Sequence, residues 1–329
     1  MKLKLLLLSV LSVLLTSCGD DYSLGFSHTI GDEVRAYSHF LTANVSTDSK
    51  WTAAVDNSAK DWCRLIYDEE GIGDILVIEV DENDTGKKRT ATITVKIGKT
   101  VVQEVTFTQR FFSTIKFEMK AYPVGDYNEV YFSMHNCIAT VDWGDGKITE
   151  QNLYRTEVNP DPDYYLWHMY NNKDLQTIKV SAKSDANPDW DAFPYERIYL
   201  TIDDSSYPEC LGIYKEIRFE ESNDPIYLSL GGAGFETVDV QLLQSLISLS
   251  VGGNKLTELT VNNENSLLHY VNCRGNLLSA SALDALFTSL PMVGDIDMSN
   301  EILIGNNPGT SECNRSIAEA KGWNIIDEW

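Results

Sequence analysis

Residues 246–256 read LISLSVGGNKL, and residues 268–278 read LHYVNCRGNLL. Both segments place apolar residues at positions 1, 4, 6 and 11 and asparagine at position 9, and the second copy follows the first by 22 residues. Alternating apolar residues predict a short strand that buries one face, and the asparagine predicts a turn held by hydrogen bonds to the backbone. A repeat of this length indicates stacked strand–turn units, because one unit alone cannot bury its apolar face.

The spacing is similar to that of leucine-rich repeats. The resemblance implies a solenoid in which the residues between the fixed apolar positions point outward from the strands. In the two copies these are Ile247, Ser248, Ser250, Gly252, His269, Tyr270, Asn272 and Arg274. We expect a partner surface at His269, Tyr270, Asn272 and Arg274, because tyrosine and arginine are enriched in binding hot spots.

Weaker copies stand upstream of the two clear ones. Leu228 lies 21 residues before Leu249, although alanine stands where the asparagine should be. Residues 214–219 and 175–180 carry degenerate forms of the strand pattern. We therefore expect an array of about four to six turns with an irregular beginning.

The end of the array is predicted to be helical. Residues 279–290 read as a helix capped by Ser279 and stopped by Pro291. The following segment, NNPGTSECNRSIAEAKGWNIID, resembles the C-terminal cap of Bacteroidetes leucine-rich repeat lipoproteins. The resemblance implies a helix from Thr310 to Gly322, after which Trp323 closes the core.

The N-terminal part of the chain shows a different pattern. Residues 90–97 read TATITVKI, with apolar side chains on one face of a half-buried strand. Gly98 and Lys99 predict a two-residue hairpin turn, after which Val101, Val105 and Phe107 should point inward. Several short strands at regular spacing predict a sandwich of two sheets.

Residues around this hairpin resemble the BACON domain, a module found in Bacteroidetes. The landmarks are Trp51 in STDSKWTAAVD, Trp62 in DWCRLI, and Gln109 after the long hairpin. The resemblance implies an immunoglobulin-like β-sandwich, with carbohydrate binding or a spacer role as equally reasonable functions. The bulk of Trp51 and Trp62 favours a position in the core.

The middle of the chain centres on ATVDWGDGKIT, residues 139–149. Asp142 and Asp145 could be read as paired catalytic carboxylates. A tight turn is favoured, because Asp side chains bond nearby backbone amides and Gly accepts positive φ. The segment resembles the DWGDG turn of polycystic-kidney-disease-like β-sandwiches, which predicts a β-rich module with His168 and Tyr170 on one strand face.

The aromatic run DYYLWHMY, residues 163–170, leaves two alternatives open. Tyr165 and Trp167, with nearby Tyr154, Tyr164 and Tyr170, could stack on sugar rings. The alternation also fits a strand that packs both of its faces, and the pattern favours this packing interpretation.

The first residues predict export and anchoring. Lys2 and Lys4 precede an apolar run at residues 5–15, which is too short to span a membrane and is typical of a cleaved signal peptide. Leu15-Thr16-Ser17-Cys18 resembles a bacterial lipobox, which implies that Cys18 is lipidated. Asp20 and Asp21 resemble the signal that exports Bacteroidetes lipoproteins to the outer face of the outer membrane.

Composition limits the possible partners. The formal net charge of −23 makes nucleic-acid binding unfavourable, because phosphate would be repelled. Apart from Cys18, five scattered cysteines show no zinc-ligand spacing and predict buried free thiols. None of the five histidines lies in a metal or nucleophile motif, so we expect no enzyme, metal or cofactor.

These observations predict a mainly β protein with five segments. They are a signal peptide at 1–17, a lipidated tether at 18–23, a BACON-like sandwich at 24–110, a DWGDG-containing module at 111–182, and the repeat array with its cap at 183–329. The leading functional hypothesis is a non-catalytic surface lipoprotein that binds an extracellular protein or mediates adhesion. The alternative is a glycan-binding accessory lipoprotein of a polysaccharide-uptake system.

Overall fold

The fold is described from a computed structural model of the chain. The described residues are 24–28, 30–36, 38–66, 75–153, 163–185, 198–202, 213–220, 222, 226–293 and 300–327. The predicted signal peptide, Cys18, Asp20, Asp21 and Tyr154 lie outside these residues. The protein is mainly β, and two compact units divide at residue 112.

In its described residues, the first unit has eight strands in two four-stranded sheets. The strands are β1 (Leu24–His28), β2 (Glu33–Val34), β3 (His39–Thr47), β4 (Trp51–Val55), β5 (Cys63–Ile66), β6 (Ile75–Val80), β7 (Arg89–Ile97) and β8 (Thr100–Gln109). One sheet has the order β1-β3-β6-β5 and the other has the order β2-β8-β7-β4. Apolar residues from both sheets form one core, so the expectation of two packed sheets is confirmed.

The alternation in β7 and β8 builds this core. Ala91, Ile93 and Val95 are buried on one face of β7, as predicted, and Val105 and Phe107 are buried on β8. The side chain of Val101 lies outside the described residues. Gly98 has φ +59°, which permits the tight turn that joins the two strands.

The described part of the second unit, which covers residues 113–329, also forms two sheets. Its strands are β9 (Ser113–Tyr122), β10 (Glu129–His135), β11 (Ile138–Asp142), β12 (Ile148–Asn152), β13 (Tyr165–Met169), β14 (Gln176–Ser184), β15 (Ile198–Thr201), β16 (Ile213–Phe219), β17 (Ile226–Ser229), β18 (Thr237–Asp239), β19 (Leu246–Ser250), β20 (Tyr270–Asn272), β21 (Glu301–Leu303) and β22 (Asn324–Ile326), and its helices are α1 (Ala280–Ser289) and α2 (Ser316–Glu319). A six-stranded sheet has the order β12-β11-β14-β9-β16-β18, and an eight-stranded sheet has the order β13-β10-β15-β17-β19-β20-β21-β22. Residues from both predicted segments, 111–182 and 183–329, enter one hydrophobic core.

The two sequence copies stack in register in the eight-stranded sheet. Leu249 of β19 pairs with Val271 of β20 in parallel, which confirms the predicted offset. Leu228 of β17 pairs with Leu249, so the weaker upstream copy is also confirmed. All three side chains are buried.

Two other degenerate copies lie elsewhere. Residues 175–180 enter β14 and residues 214–219 enter β16, and both strands belong to the six-stranded sheet. Both pair antiparallel with β9, so they are strands but not members of the parallel stack. The prediction was wrong because apolar alternation is the same for a strand of either sheet.

Buried asparagines join successive turns of the stack. The side-chain amide of Asn254 donates to the carbonyls of Leu230 and Val251 at 2.6 and 2.9 Å. The amide of Asn276 donates to the carbonyls of Val251 and Cys273 at 2.9 and 3.0 Å. Each amide therefore bonds the backbone of its own turn and of the preceding turn, which confirms the predicted role of asparagine.

A third asparagine continues this arrangement. Asn307 donates to the carbonyls of Cys273 and Ile304 at 2.9 and 2.8 Å, and its oxygen accepts from the Leu278 amide at 3.2 Å. Asn307 follows Asn276 by 31 residues, because α1 lies between them. This spacing departs from the 22-residue period, so the repeat pattern of the sequence does not indicate this copy.

The helical prediction is half correct. Ser279 caps α1 by accepting from the Ala282 amide at 3.2 Å, as predicted. The predicted helix from Thr310 is wrong, because α2 covers only Ser316–Glu319. The Thr310 hydroxyl donates to the Ile304 carbonyl at 2.9 Å and thus holds a turn instead. Trp323 is buried, as expected for a residue that closes the core.

Candidate functional site

One face of the eight-stranded sheet points away from the core. On β15, β17, β19 and β20 the apolar residues are buried, and the alternate residues are half-buried. We name these alternate residues the tyrosine–serine face: Tyr199, Thr201, Tyr227, Ser229, Ser248, Ser250, Tyr270 and Asn272. Every outward position of these four strands therefore carries an uncharged hydroxyl or amide group.

Parallel pairing arranges these residues in rows across the strands. Tyr199 pairs with Tyr227, and their rings stack with centroids 4.6 Å apart and planes 8° apart. Tyr227 pairs with Ser248, which pairs with Tyr270. In the adjacent row, the Asn272 amide donates to the Ser250 hydroxyl at 3.4 Å. The rows thus bring side chains from distant parts of the sequence onto one surface.

Aromatic residues extend this surface toward the edge of the sheet. Trp167 of β13 pairs with Tyr131 of β10, and the ring of Tyr165 lies 6.1 Å from that of Tyr131. Trp167 is 52% exposed, Met169 is 49% exposed and Tyr165 is 39% exposed. We name these four residues, Tyr131, Tyr165, Trp167 and Met169, the Trp167 patch. The packing interpretation is wrong for Tyr165 and Trp167, because only the other face of β13 meets the core.

His135 connects the two surfaces. It pairs with Tyr199, and its ring stacks on Tyr164 with centroids 3.9 Å apart. Burial lowers the pKa of His135, because the charged imidazolium loses hydration there. A neutral imidazole can both donate and accept a hydrogen bond. The surface therefore continues across paired strands from β13 to β20.

The sequence-predicted residues divide between these surfaces. Tyr270 and Asn272 belong to the tyrosine–serine face. His269 precedes β20 and is half-buried, with Nδ1 3.3 Å from the Leu267 carbonyl. Arg274 follows β20, and its Nε atom is buried. The two alternative sites of the sequence analysis therefore meet on one sheet.

Ile247 corrects the predicted list of outward residues. It is fully buried, and the pairing of β17 with β19 shifts register beside it. Ile226 pairs with Leu246 while Tyr227 pairs with Ser248, so Ile247 is the extra residue of a bulge. Strict alternation fails at such a residue.

Sequence reasoning missed Tyr199 and Tyr227. They occupy equivalent places in IYLT, residues 198–201, and IYLS, residues 226–229, which pair in register. This short similarity could have identified both strands. The two tyrosines are 28 residues apart, which departs from the 22-residue period, so the period did not indicate this similarity.

The DWGDG segment is a structural turn. Asp142 accepts from the Gly144 amide at 3.0 Å, and Asp145 accepts from the Lys147 amide at 3.0 Å. Gly144 and Gly146 have φ +81° and +88°. These contacts confirm the turn interpretation over the paired-carboxylate one.

Packed aromatic residues brace this turn. Trp143 is fully buried, and its carbonyl accepts from the Tyr170 hydroxyl at 2.9 Å. His168 stacks on Trp143, and its Nε2 lies 2.8 Å from Asp145 Oδ2, which lowers the pKa of Asp145. His168 and Tyr170 are therefore packed, as predicted.

Among the described residues, Cys63, Cys273 and Cys313 are free thiols. Cys63, Cys137 and Cys273 are buried, and Cys313 is half-buried. Burial raises the pKa of Cys63 to about 11. Cys210 lies outside the described residues.

Within the described ranges, no three His, Cys, Asp or Glu side chains converge to hold a metal ion. No helix of these ranges is long and apolar enough to cross a membrane.

In the first unit the tryptophans are core residues. Trp51 and Trp62 are buried, and Trp62 packs edge-on against Phe107 with centroids 6.3 Å apart. Arg89 lies over the Trp62 ring at 4.2 Å and donates to the Gln109 side chain at 2.7 Å. Gln109 is fully buried. These landmark residues therefore stabilise the sandwich rather than form an exposed sugar platform.

Residues 51–110 match the model of a family of binding domains. The family is BACON, whose description reads "Putative binding domain, N-terminal". A BACON domain is therefore present at these residues, which confirms that resemblance. No curated protein and no solved structure matches the chain.

Proposed function

We propose that the protein is a non-catalytic glycan-binding lipoprotein of the cell surface, in which the Trp167 patch and the tyrosine–serine face form the binding surface. The observation that carries this proposal is the exposure of Trp167 and Tyr165 beside rows of hydroxyl and amide side chains. Sugars present apolar ring faces and hydroxyl edges. Exposed aromatic rings can stack on the apolar ring faces, and Ser, Thr, Tyr and Asn side chains can form hydrogen bonds with the sugar hydroxyls.

The proposal includes the architecture expected from the sequence. The parallel strands β17, β19 and β20, joined by buried asparagines, support a short leucine-rich repeat solenoid. Two sheets on one core support an immunoglobulin-like form for the BACON domain. Since Trp51 and Trp62 are buried, this domain is proposed as a spacer that holds the binding unit away from the membrane.

A non-catalytic role agrees with the use of the acidic residues near the aromatic strands. Asp142 and Asp145 each bond a backbone amide of their own turn, and Asp145 also contacts His168. A glycosidase pair needs one carboxyl that can donate a proton and a second that faces the sugar. Neither aspartate is free of its structural contacts.

Binding of a protein is a second candidate. The tyrosine–serine face consists of Tyr, Ser, Thr and Asn, and antibody paratopes are enriched in Tyr, Ser and Asn. Rigid tyrosines supply contact area while short polar side chains adapt their hydrogen bonds. We place it second because the Trp167 patch adds exposed ring surface suited to sugar stacking.

A glycan array probed with residues 22–329 tests the proposal. The expected result is retention of a set of glycans that is lost in Trp167→Ala. The matched control is Phe40→Ala, since Phe40 is 63% exposed on the first unit and outside the proposed site. Absence of any glycan hit with a folded protein would reject glycan binding and leave the protein-partner candidate.

Anchoring is tested separately. Removal of the Cys18 thiol should release the protein or leave it unprocessed, because two or more acyl chains are needed for stable attachment. If the Cys18→Ser protein still sedimented with the outer membrane at high salt, lipidation would be rejected. Asp20→Ala with Asp21→Ala should reduce digestion by external protease while membrane attachment remains.

A further inference from the structure

The charge of the binding surface differs from that of the chain. The chain has 49 acidic and 26 basic residues, yet the outward positions of β15, β17, β19 and β20 carry none of either kind. Acidic residues border the described part of the surface, among them Glu301, which pairs with Tyr270, and Glu129 at the end of β10. The nearest basic residue along β20 is Arg274, whose Nε atom is buried.

We propose that the ligand is an uncharged, linear glycan chain that lies across the strands from β20 to β13. This inference rests on the proposed function and names the class of glycan. Against the eight residues of the tyrosine–serine face, a carboxylate or sulfate on the ligand would lose water to hydroxyl and amide groups, and none of these eight side chains is a cation. The acidic border would add repulsion, because the dielectric constant near a protein surface is low.

The shape of the surface gives the direction of the chain. Each of the four central strands offers two outward residues, which span only about 7 Å along a strand. Six neighbouring strands, β13-β10-β15-β17-β19-β20, extend over about 24 Å in the perpendicular direction. The site is thus long across the strands and narrow along them, which fits an extended chain better than a single sugar.

The first experiment compares polymers that differ only in charge. Hydroxyethyl cellulose, dextran and galactomannan are each run beside their carboxymethyl derivatives in affinity electrophoresis with residues 22–329. We expect at least tenfold tighter binding of one neutral polymer than of its derivative. The preference should persist at 1 M salt, where a Debye length of about 3 Å screens the net charge of the whole chain.

A variant then tests whether the surface itself excludes acidic chains. Ser250→Lys places a cation in the row that contains Asn272, and we expect it to reduce the preference for the neutral polymer at least threefold. Thr140→Lys adds the same charge on the six-stranded sheet and should leave the preference unchanged. If both variants changed it equally, the site assignment would be overturned.

Chain length tests the direction. Affinity should rise at least tenfold from a disaccharide to a hexasaccharide of the bound polymer. Tyr270→Ala and Trp167→Ala, at opposite ends of the surface, should each reduce hexasaccharide binding while Tyr270→Ala leaves disaccharide stacking on Trp167 unchanged. Equal affinity for both lengths would overturn a linear site.

The outcomes separate the two proposals. Array hits that are all acidic, or equal binding of the carboxymethyl derivatives, would overturn this inference while glycan binding stands. No hit on the array and no binding of any polymer would overturn the proposed function and this inference with it. Neutral hits that depend on chain length support both.

Discussion

Replacement of Asn276 by alanine should destabilise the second unit strongly, although the residue touches no proposed ligand. Asn276 is 3% exposed, and its side-chain oxygen accepts from the Leu256 amide at 3.1 Å. Its amide donates to the carbonyls of Val251 and Cys273. A third, longer bond of 3.3 Å runs from the amide to the Arg274 carbonyl. The alanine variant leaves the Leu256 N–H without this acceptor and removes the donated bonds.

The structure limits the size of the effect. The Val251 carbonyl keeps the Asn254 amide as a donor, and the Cys273 carbonyl keeps the Asn307 amide. The principal loss is therefore the buried Leu256 N–H, which costs about 1–3 kcal/mol, and each lost bond adds about 0.5–1 kcal/mol. We expect a decrease of about 3 kcal/mol in the free energy of unfolding. For a unit of this size, the decrease corresponds to roughly 6–12 °C in melting temperature.

Thermal unfolding followed by far-UV circular dichroism and calorimetry measures this change. Asn276→Asp keeps the shape and the acceptor for Leu256 but places a carboxylate oxygen against two carbonyls, so it should be at least as unstable at pH 7. The control Asn272→Ala, at a half-buried surface position, should remain within about 0.5 kcal/mol of wild type. A melting temperature of Asn276→Ala equal to that of wild type would refute the bridging role.

Three further changes test the structure in the same assay. Leu249→Ala should cost about 2–5 kcal/mol, because this fully buried side chain fills the core between β17 and β20, and an unchanged melting curve would reject the repeat register. Gly144→Ala should lower the free energy of unfolding by about 2–4 kcal/mol, because Gly144 has φ +81° and an added Cβ would clash with the Thr177 carbonyl. In Gly146→Ala the added Cβ meets open space, so the cost should be roughly 1 kcal/mol. The folded-state pKa of His135 is below its unfolded value of about 6.5. The contribution of His135 to stability is therefore present above that pH and is lost as pH falls through the folded pKa. His135→Phe should flatten this part of the stability profile measured from pH 7 to pH 5.

Short sequence patterns predicted the strands and turns whose interactions lie within a few residues of one another. The apolar alternation of β7 and the pairing of Leu249 with Val271 followed from periods of two and of 22 residues. The asparagine turns followed because one side chain bonds its own backbone three residues away. In each case the residues that specify the structure are close together in one copy of the pattern.

Long-range pairing was not accessible in the same way. Nothing in residues 129–135 distinguishes a partner strand in the repeat sheet from one in the six-stranded sheet, yet β10 pairs with β15. The same ambiguity misplaced residues 175–180 and 214–219. Apolar alternation indicates that one face of a strand is buried, but it does not indicate to which sheet the strand belongs.

The candidate site could not be assembled from the sequence, because its residues meet only through long-range strand pairing. Tyr270 and Asn272 were found because they lie in a clear repeat, and Trp167 was found by its aromatic neighbourhood. Their position on one surface follows only from the pairing of β13, β10 and β15, which no local pattern indicates. The stacked pair Tyr199 and Tyr227 was missed for the same reason.

The parallel register links stability to binding in this protein. A shift of one residue between β19 and β20 would exchange buried Leu249 with outward Ser250, and so would bury a hydroxyl and break the rows of the tyrosine–serine face. Asn254 and Asn276 oppose such a shift, because their amides bond fixed carbonyls in two turns at once. Loss of either asparagine should therefore reduce binding only in proportion to the unfolded fraction. Loss of Tyr270 should reduce binding while the melting temperature stays unchanged, because the side chain lies on the outward face.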